Sequence, residues 1–457
     1  MGRNFLLNVA ENGFSALGYD LDAEKRRLLE TEGKNYTVDS AENLTEFLAQ
    51  LETPRKIMIL VPANVVDIVI NDLLGQLDKG DLVIDGGNSH FPDTERREKL
   101  LNDNGFEFLG VGVSGGEEGA RHGASIMIGG KSEIYELVKP ILEAASAKVN
   151  GEACAAHVGK GSAGHFVKMV HNGIEYGLMQ LIAETYDILN RGLEMSYVEM
   201  ADTFGDWNKA ELNSFLIEIT ETVLRKKDDK SDKNLVEMIL DTAGQKGTGK
   251  WTSEVAMDMG VPIPTIDSAV TMRQLSSMKT ARVAANSKFK IQNSKLSEDQ
   301  KTKVKDQLRK ALYASFIITY AQGLSLLKAA STEKGYDLNL VEISKIWRGG
   351  CIIRATLLEE FRRAFEANKD LSNIIIDDNF AGILSENIVD LREIVVLSAK
   401  HGFPSYCLMS CLAYFDAYTS ERLPANMLQA QRDYFGAHTY QRIDGEGTFH
   451  TKDWNAE

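Results

Sequence analysis

Short apolar runs alternate with amphipathic stretches through the first third of the chain. A helical period over residues 4–11, closed by Asn12-Gly13, precedes Phe14–Tyr19, which predicts a strand ending in Asp20-Leu21-Asp22. A helix from about Ala23 and another near Ala41–Gln50 lead to Ile57–Val61, which has the length and composition of a buried strand. Asp81–Asp85, after the turn Lys79-Gly80, and Glu107–Val113, after a helix over Thr94–Asn104, read the same way. Strand alternating with helix predicts a doubly wound parallel α/β sheet, with ligand loops at the strand ends. Two such loops are Asp85-Gly-Gly-Asn88 and Val113-Ser114-Gly115-Gly116, where backbone amides can approach a ligand closely.

After about Gly161 the pattern changes to long helical periods that run to roughly residue 420. This divides the chain into an α/β domain over 1–161, an all-helical domain over 162–420 and a polar, glycine-containing tail over 421–457. Tyr197–Phe204 is echoed by Leu340–Trp347, and Leu181–Leu189 by Thr319–Leu327, so an internal duplication is expected. Gln245–Trp251 superficially resembles a phosphate loop. It lacks the G-x-x-x-x-G-K-[ST] spacing and follows a helix, which excludes a nucleoside-triphosphate reading.

One helical stretch, Gly164–Tyr176, sets Lys168, His171, Asn172, Glu175 and Tyr176 on one face, while Val167, Val170, Ile174 and Leu178 point elsewhere. A solvated stripe is the ordinary meaning of such a face. A lysine that sheds its proton when desolvated, a carboxylic acid two turns on, and amide and imidazole between them suit proton traffic on a polyol.

Composition narrows the partners. A chain of 457 residues with net charge −15 argues against nucleic acid or an anionic membrane, so any phosphate must be held locally. The Met1-Gly-Arg-Asn start has no signal-peptide pattern, and no run approaches a membrane span, which makes the cytoplasm the default expectation. Cys154, Cys351, Cys407 and Cys411 read as core thiols, and the eight histidines lack ligand spacing, so no metal is expected.

Ile84–Asn88, Gly112–Gly119, His165–Tyr176, Lys246–Trp251 and Gln429–His438 together resemble the decarboxylating 6-phosphogluconate dehydrogenase family over nearly the whole chain. The resemblance implies a Rossmann-like first domain, a large all-α domain with an internal duplication, and a homodimer whose tail threads into the partner subunit. It implies oxidative decarboxylation of 6-phosphogluconate to ribulose 5-phosphate. Lys168 is then the base at the C3 hydroxyl and Glu175 the acid that protonates C1 of the enediol left by CO2 loss. Asn88, Ser114, Gly115, Gly116, His171 and Asn172 would meet the substrate's hydroxyls and carboxylate. Tyr176, Lys246, Arg273, Arg432 and His438 would meet its phosphate, the last two from the other subunit.

The cofactor end departs from the family pattern. An Asn-Arg pair gripping the 2′-phosphate of NADP is replaced by Asp20-Leu21-Asp22, which favours NAD over NADP, since an acidic residue there binds ribose hydroxyls. Pro62 and Ile128 stand where a Lys and a Pro are more usual. Gly2, Asp20, Leu21, Asp22, Val61, Pro62, Ala63 and Asn88 are the candidate dinucleotide contacts. The glycine fingerprint is reduced to Gly2, so the first strand and its phosphate turn are expected to be missing, with the written chain an N-terminally shortened form of the encoded enzyme. The competing readings are an impaired, truncated paralogue and a related β-hydroxyacid dehydrogenase acting on an unphosphorylated substrate.

Overall fold

The structure is a computed structural model that describes residues 1–289, 296 and 298–456. It divides into two compact units, Met1–Cys411 and Leu412–Glu457, the division falling within the helix Tyr406–Tyr418.

The first unit opens with the helix Gly2–Glu11, which Gly13 ends at φ +90. Two sheets follow. Strands β1 (Ala16–Gly18) and β2 (Val38–Ser40) form a parallel pair by themselves. Strands β3 (Lys56–Ile59), β4 (Leu82–Asp85), β5 (Glu107–Ser114), β6 (Ser125–Gly130) and, after a small hairpin β7 (Lys148–Val149) and β8 (Glu152–Ala153), β9 (Ala155–Gly159) form a second sheet in the order β3-β4-β5-β6-β9.

The expected wholly parallel sheet holds through β3, β4 and β5 and fails at β6, which runs antiparallel to β5. Only the short helix Gly116–His122 and the turn at Gly123 separate the two strands, too little chain for a crossover. Strands β2 and β6 escaped the pattern reading. Val38-Asp-Ser40 has three residues, and Ser-Ile-Met-Ile-Gly-Gly ends in two glycines, so neither alternates for long enough. One apolar layer, including Phe5, Val9, Ile84, Val111 and Leu142, covers one face of the sheet. A second, including Leu48, Ile57, Val66, Leu101 and Phe108, covers the other.

The helical part is built on Ala163–Asp187 and Glu298–Glu333, which pack together, the second also against Asp378–His401. The echoed sequences sit on matching elements: 181–187, continued by a π-turn from Ile188, and 319–327 lie in these two long helices. Each is succeeded by a capped helix, Tyr197–Trp207 or Leu340–Ile346. Ser196 caps the first in a reciprocal box with Glu199, and the Asn339 side chain accepts the Val341 and Glu342 amides at the second. Among the described residues no helix is long and apolar enough to cross a membrane.

The second unit carries the helix Ala425–Gly436 and an antiparallel bridge between Tyr440 and Phe449. A polar tail is expected to lack a core, and a buried carboxylate takes its place. Asp433 accepts from Thr439 N (2.9 Å), Thr451 N (3.0 Å), His450 Nδ1 (2.9 Å) and Trp454 Nε1 (3.2 Å). These donors hold its carboxyl below the usual range although burial opposes them.

Candidate active site

The helix Ala163–Asp187 reaches the sheet because glycines remove side chains from the contact. A Cβ on Gly164 would lie 2.2 Å from Gly110 O, and one on Gly112 would lie 2.5 Å from Lys168 Cβ. Lys168 is thereby seated over the carboxyl end of β5. The helix has no wet side here: Lys168, His171, Asn172 and Tyr176 are buried together with Val167, Val170 and Ile174. Only the Glu175 side chain keeps some exposure, at 22%.

Within this dry pocket Lys168 Nζ donates to Asn172 Oδ1 at 2.5 Å. His171 Nδ1 lies 3.2 Å from the same oxygen and 3.9 Å from Glu175 Oε2, and its Nε2 lies 3.4 Å from Ser114 Oγ. Burial pulls the Lys168 ammonium below its ordinary pKa, with Glu175 and Cys351 opposing. The same burial pushes Glu175 up against Lys168 and Arg273, and holds His171 well below its usual value, helped by Lys168. The pocket thus shifts the lysine and the imidazole toward their neutral forms and the carboxyl toward its protonated form, a set suited to taking a proton at one point and returning one at another.

The two loops at the strand ends are fixed differently. Buried Asp85 accepts from Gly87 N (3.0 Å), Ser89 Oγ (2.9 Å) and Arg97 Nη1 (2.9 Å), while Arg97 Nε also reaches Asp67 (2.8 Å). His165 links Gly87 O (3.0 Å) to Thr94 Oγ1 (2.8 Å). This network presents Asn88 outward. Sequence reasoning passed over Asp85, Arg97 and His165; the signal available was a charged residue on the apolar face of the Phe91–Asp103 helix. Gly115 and Gly116 take φ +102 and +64, and a Cβ on Gly115 would strike Gly350 O at 2.5 Å.

Two turns along the helix, the Arg273 guanidinium covers the Tyr176 ring at 4.2 Å and donates to Gly244 O at 2.7 Å. Lys246, exposed, precedes Gly247, whose left-handed conformation starts the helix Thr248–Asp258. That helix packs on Tyr176 at Gly249, where a Cβ would lie 2.6 Å from the ring. Arg432 and His438 belong to the second unit. There Arg432 Nη1 donates to Gln429 Oε1 (3.1 Å), and the His438 ring meets Phe435 edge-on at 6.0 Å.

Five of the eight candidate dinucleotide residues converge separately, and Asp22, Ala63 and Asn88 lie outside their cavity. A cavity of about 1060 Å³ is lined by Gly2, Asp20, Leu21, Val61 and Pro62, at the carboxyl ends of β1 and β3 and the start of the Gly2–Glu11 helix. Asp22 caps the next helix through Glu24 N (2.9 Å), and Ala63 O accepts from Arg97 (3.4 Å), so both support the walls. Lys25 lies 3.6 Å from Asp20 Oδ2, and Arg26 donates to Asp20 O at 2.6 Å. A helix N-terminus beside a strand-end carboxylate, with apolar walls, suits a dinucleotide's ribose and ring. Among the described residues no cluster of three His, Cys, Asp or Glu could hold a metal ion.

Comparison with known proteins agrees with this division. Residues 1–159 match the NAD binding domain of 6-phosphogluconate dehydrogenase, and residues 164–454 match the C-terminal domain of 6-phosphogluconate dehydrogenase. The chain is 49% identical over 453 residues to the NADP(+)-dependent, decarboxylating 6-phosphogluconate dehydrogenase of Bacillus subtilis, with 99% of this chain and 97% of that protein covered. It is 47% identical to the decarboxylating 6-phosphogluconate dehydrogenase 2 of Arabidopsis thaliana, with 99% and 95% covered. The structure of Plasmodium falciparum 6-phosphogluconate dehydrogenase superposes with a TM-score of 0.96 at 43% identity, covering 99% of this chain and 98% of that one. With both domains matched and identity near one half along the full length, the chain belongs to the 6-phosphogluconate dehydrogenase family.

Proposed function

We propose that this chain oxidises 6-phosphogluconate at C3 and releases C1 as CO2, giving ribulose 5-phosphate. The observation that carries the reading is the buried Lys168–Asn172–His171–Glu175 cluster, in which burial shifts the lysine toward its neutral form and the glutamate toward its protonated one. Neutral Lys168 accepts the C3 hydroxyl proton as hydride leaves that carbon. Its ammonium then donates to the 3-keto oxygen, which draws in the electron pair freed when the C1–C2 bond breaks and C1 leaves as CO2. Glu175 delivers its proton to the former C2, now C1 of the resulting five-carbon enediol. Asn88, Ser114, Gly115, Gly116, His171 and Asn172 orient the hydroxyls and carboxylate, while Tyr176, Lys246 and Arg273 hold the phosphate. A nicotinamide dinucleotide, held by Gly2, Asp20, Leu21, Val61 and Pro62, supplies the hydride acceptor. The test is the near-ultraviolet absorbance of reduced nicotinamide, followed with 6-phosphogluconate and either cofactor. No signal with either one overturns the reading.

The cofactor is proposed to be NAD at least as readily as NADP, since Asp20 at the end of β1 suits free ribose hydroxyls and Leu21 offers no grip on a phosphate. NADP is the second reading. The Lys25 and Arg26 cations beside Asp20 favour it, and the B. subtilis relative is NADP(+)-dependent by name. A kcat/KM for NADP tenfold above that for NAD decides for the second.

The working enzyme is proposed to be a cytoplasmic homodimer in which Arg432 and His438 reach the partner's phosphate site. Met427, Leu428, Tyr434 and Phe435 on the tail helix are exposed apolar side chains, as an interface element requires. Mixing an Arg432→Ala chain with a Lys168→Ala chain should restore activity, because one of the hybrid's two sites is intact. Verified heterodimers without recovery would exclude a shared site.

A further inference from the structure

The loop between β4 and the helix Phe91–Asp103 is tied down at one end and stacked at the other. Gly87 and Ser89 are held by Asp85, and Arg97 Nη1 also donates to Ser89 Oγ at 2.8 Å. Asn88 stands exposed between them. His90 comes next, at the N-cap of the helix, a position where Ser, Thr, Asp or Asn usually accepts from a free helix amide. The His90 side chain makes no such bond. Its ring lies on the Trp251 indole instead, with centroids 4.4 Å apart and planes 20° from parallel. Burial lowers the His90 pKa against Asp93, Glu254 and Glu95, which favours the uncharged ring at neutral pH.

Trp251 comes from the helical part. Its helix, Thr248–Asp258, is seated on the catalytic one: Thr252 Oγ1 donates to Met169 O at 3.0 Å, and a Cβ on Gly173 would lie 2.7 Å from Thr252 Cγ2. The indole reaches back over the start of its own helix, where a Cβ on Gly247 would meet Trp251 Cε2 and Cζ2 at 3.6 Å. Gly247 follows Lys246 directly and takes φ +98. One indole therefore borders both the residue next to Lys246 and the residue two beyond Asn88, which lie far apart in the chain.

We propose that His90 and Trp251 are a positioning pair, whose stack holds the Asn88 loop and the Lys246 turn at a fixed spacing so that both ends of one phosphorylated sugar acid are gripped together. This rests on the reading of Asn88 and Lys246 as contacts to the two ends of 6-phosphogluconate. The pair acts on binding and leaves proton transfer to Lys168 and Glu175. A stacked aromatic pair is worth roughly threefold to tenfold in an equilibrium, and here that factor falls on substrate affinity.

The test is a double-mutant cycle on the full chain, read by turnover of 6-phosphogluconate and by amide hydrogen exchange. His90→Ala and Trp251→Ala should each raise KM roughly fivefold and change kcat by less than about twofold. His90→Phe keeps a flat ring on the indole and should stay within about twofold of the wild type in both. The double alanine variant should be no worse than either single one, since the stack is broken only once. In the unliganded protein the effects should cross the stack. Trp251→Ala should speed exchange of the Gly87 amide, which donates to Asp85 Oδ1, roughly fivefold. His90→Ala should do the same to the Trp251 amide, which donates to Gly247 O. Unchanged KM in the alanine variants, additive losses in the double variant, or a His90→Phe variant as weak as His90→Ala overturns the pairing. A raised KM without crossed exchange also overturns it, because each ring would then act alone. A wild type that does not turn over 6-phosphogluconate overturns the functional reading and the pairing with it, whereas normal wild-type turnover beside any of the other failures overturns the pairing alone.

Discussion

Two seams of the first unit meet the same sheet in opposite ways. Where the Ala163–Asp187 helix crosses β5 and β6, backbones approach so closely that a methyl group on Gly164 would have no room. Between β1 and β3, the edge strands of two separate sheets border a cavity of about 1060 Å³. The closed seam holds the groups whose protonation must be displaced from the ordinary, and displacement needs water kept out. The open one holds residues suited to a ligand's ribose and ring, which need access. Burial therefore displaces the protonation of the Lys168 cluster, while the cavity beside β1 and β3 stays open to a ligand.

The sharpest break in this contrast is Lys168→Ala, which removes the group the closed seam exists to desolvate. It should lower kcat by roughly 10²–10⁴-fold or more with little change in substrate Kd. Steady-state kinetics and calorimetric binding would check both; retention of more than a few per cent of kcat sinks the assignment of the base.

Packing should differ as strongly as chemistry does. Phe166→Ala, in the closed seam, should cost about 3–5 kcal/mol in denaturant unfolding. Leu60→Ala, facing the open one, should cost less than about 1 kcal/mol. Comparable losses would mean that the cavity between β1 and β3 is closed in solution.

Farther along the same buried helix, Glu184 accepts from Cys407 N (2.9 Å) and Leu408 N (3.0 Å), yet burial pushes its pKa up to about 7. A folded pKa above the unfolded value of about 4.5 means that the native state holds the extra proton between those limits. The stability it contributes is complete below pH 4.5 and lost as pH rises toward 7, at most roughly 3 kcal/mol. Glu184→Gln should flatten that part of the stability profile, measured as Tm against pH.

The smallest expected effect is at the half-open end of the closed seam. Arg273→Ala removes a cation stacked on Tyr176 and should raise KM for the phosphorylated substrate by about tenfold, the effect of losing one charge-assisted contact. An unchanged KM would move the phosphate elsewhere.

The amino-acid sequence by itself determined the alternation of strands and helices up to β5 apart from β2, the helical second part with its echoed segments, and the i, i+4, i+7 face of Lys168, Asn172 and Glu175. Each is a local period, and local periods survive in a string. What the tertiary structure decided is whether that face is wet or dry, since this depends on Gly110, Gly112 and Gly129 of distant strands meeting Gly164. It decided the Asp85–Arg97–His165 brace, whose members lie far apart in the chain or on an unremarkable helix face. It reversed β6, because strand direction follows the length of a connection and the partner available, neither of which six residues encode. And it set the tail around Asp433, one carboxylate among many in the sequence, which only the convergence of Thr439, His450, Thr451 and Trp454 singles out.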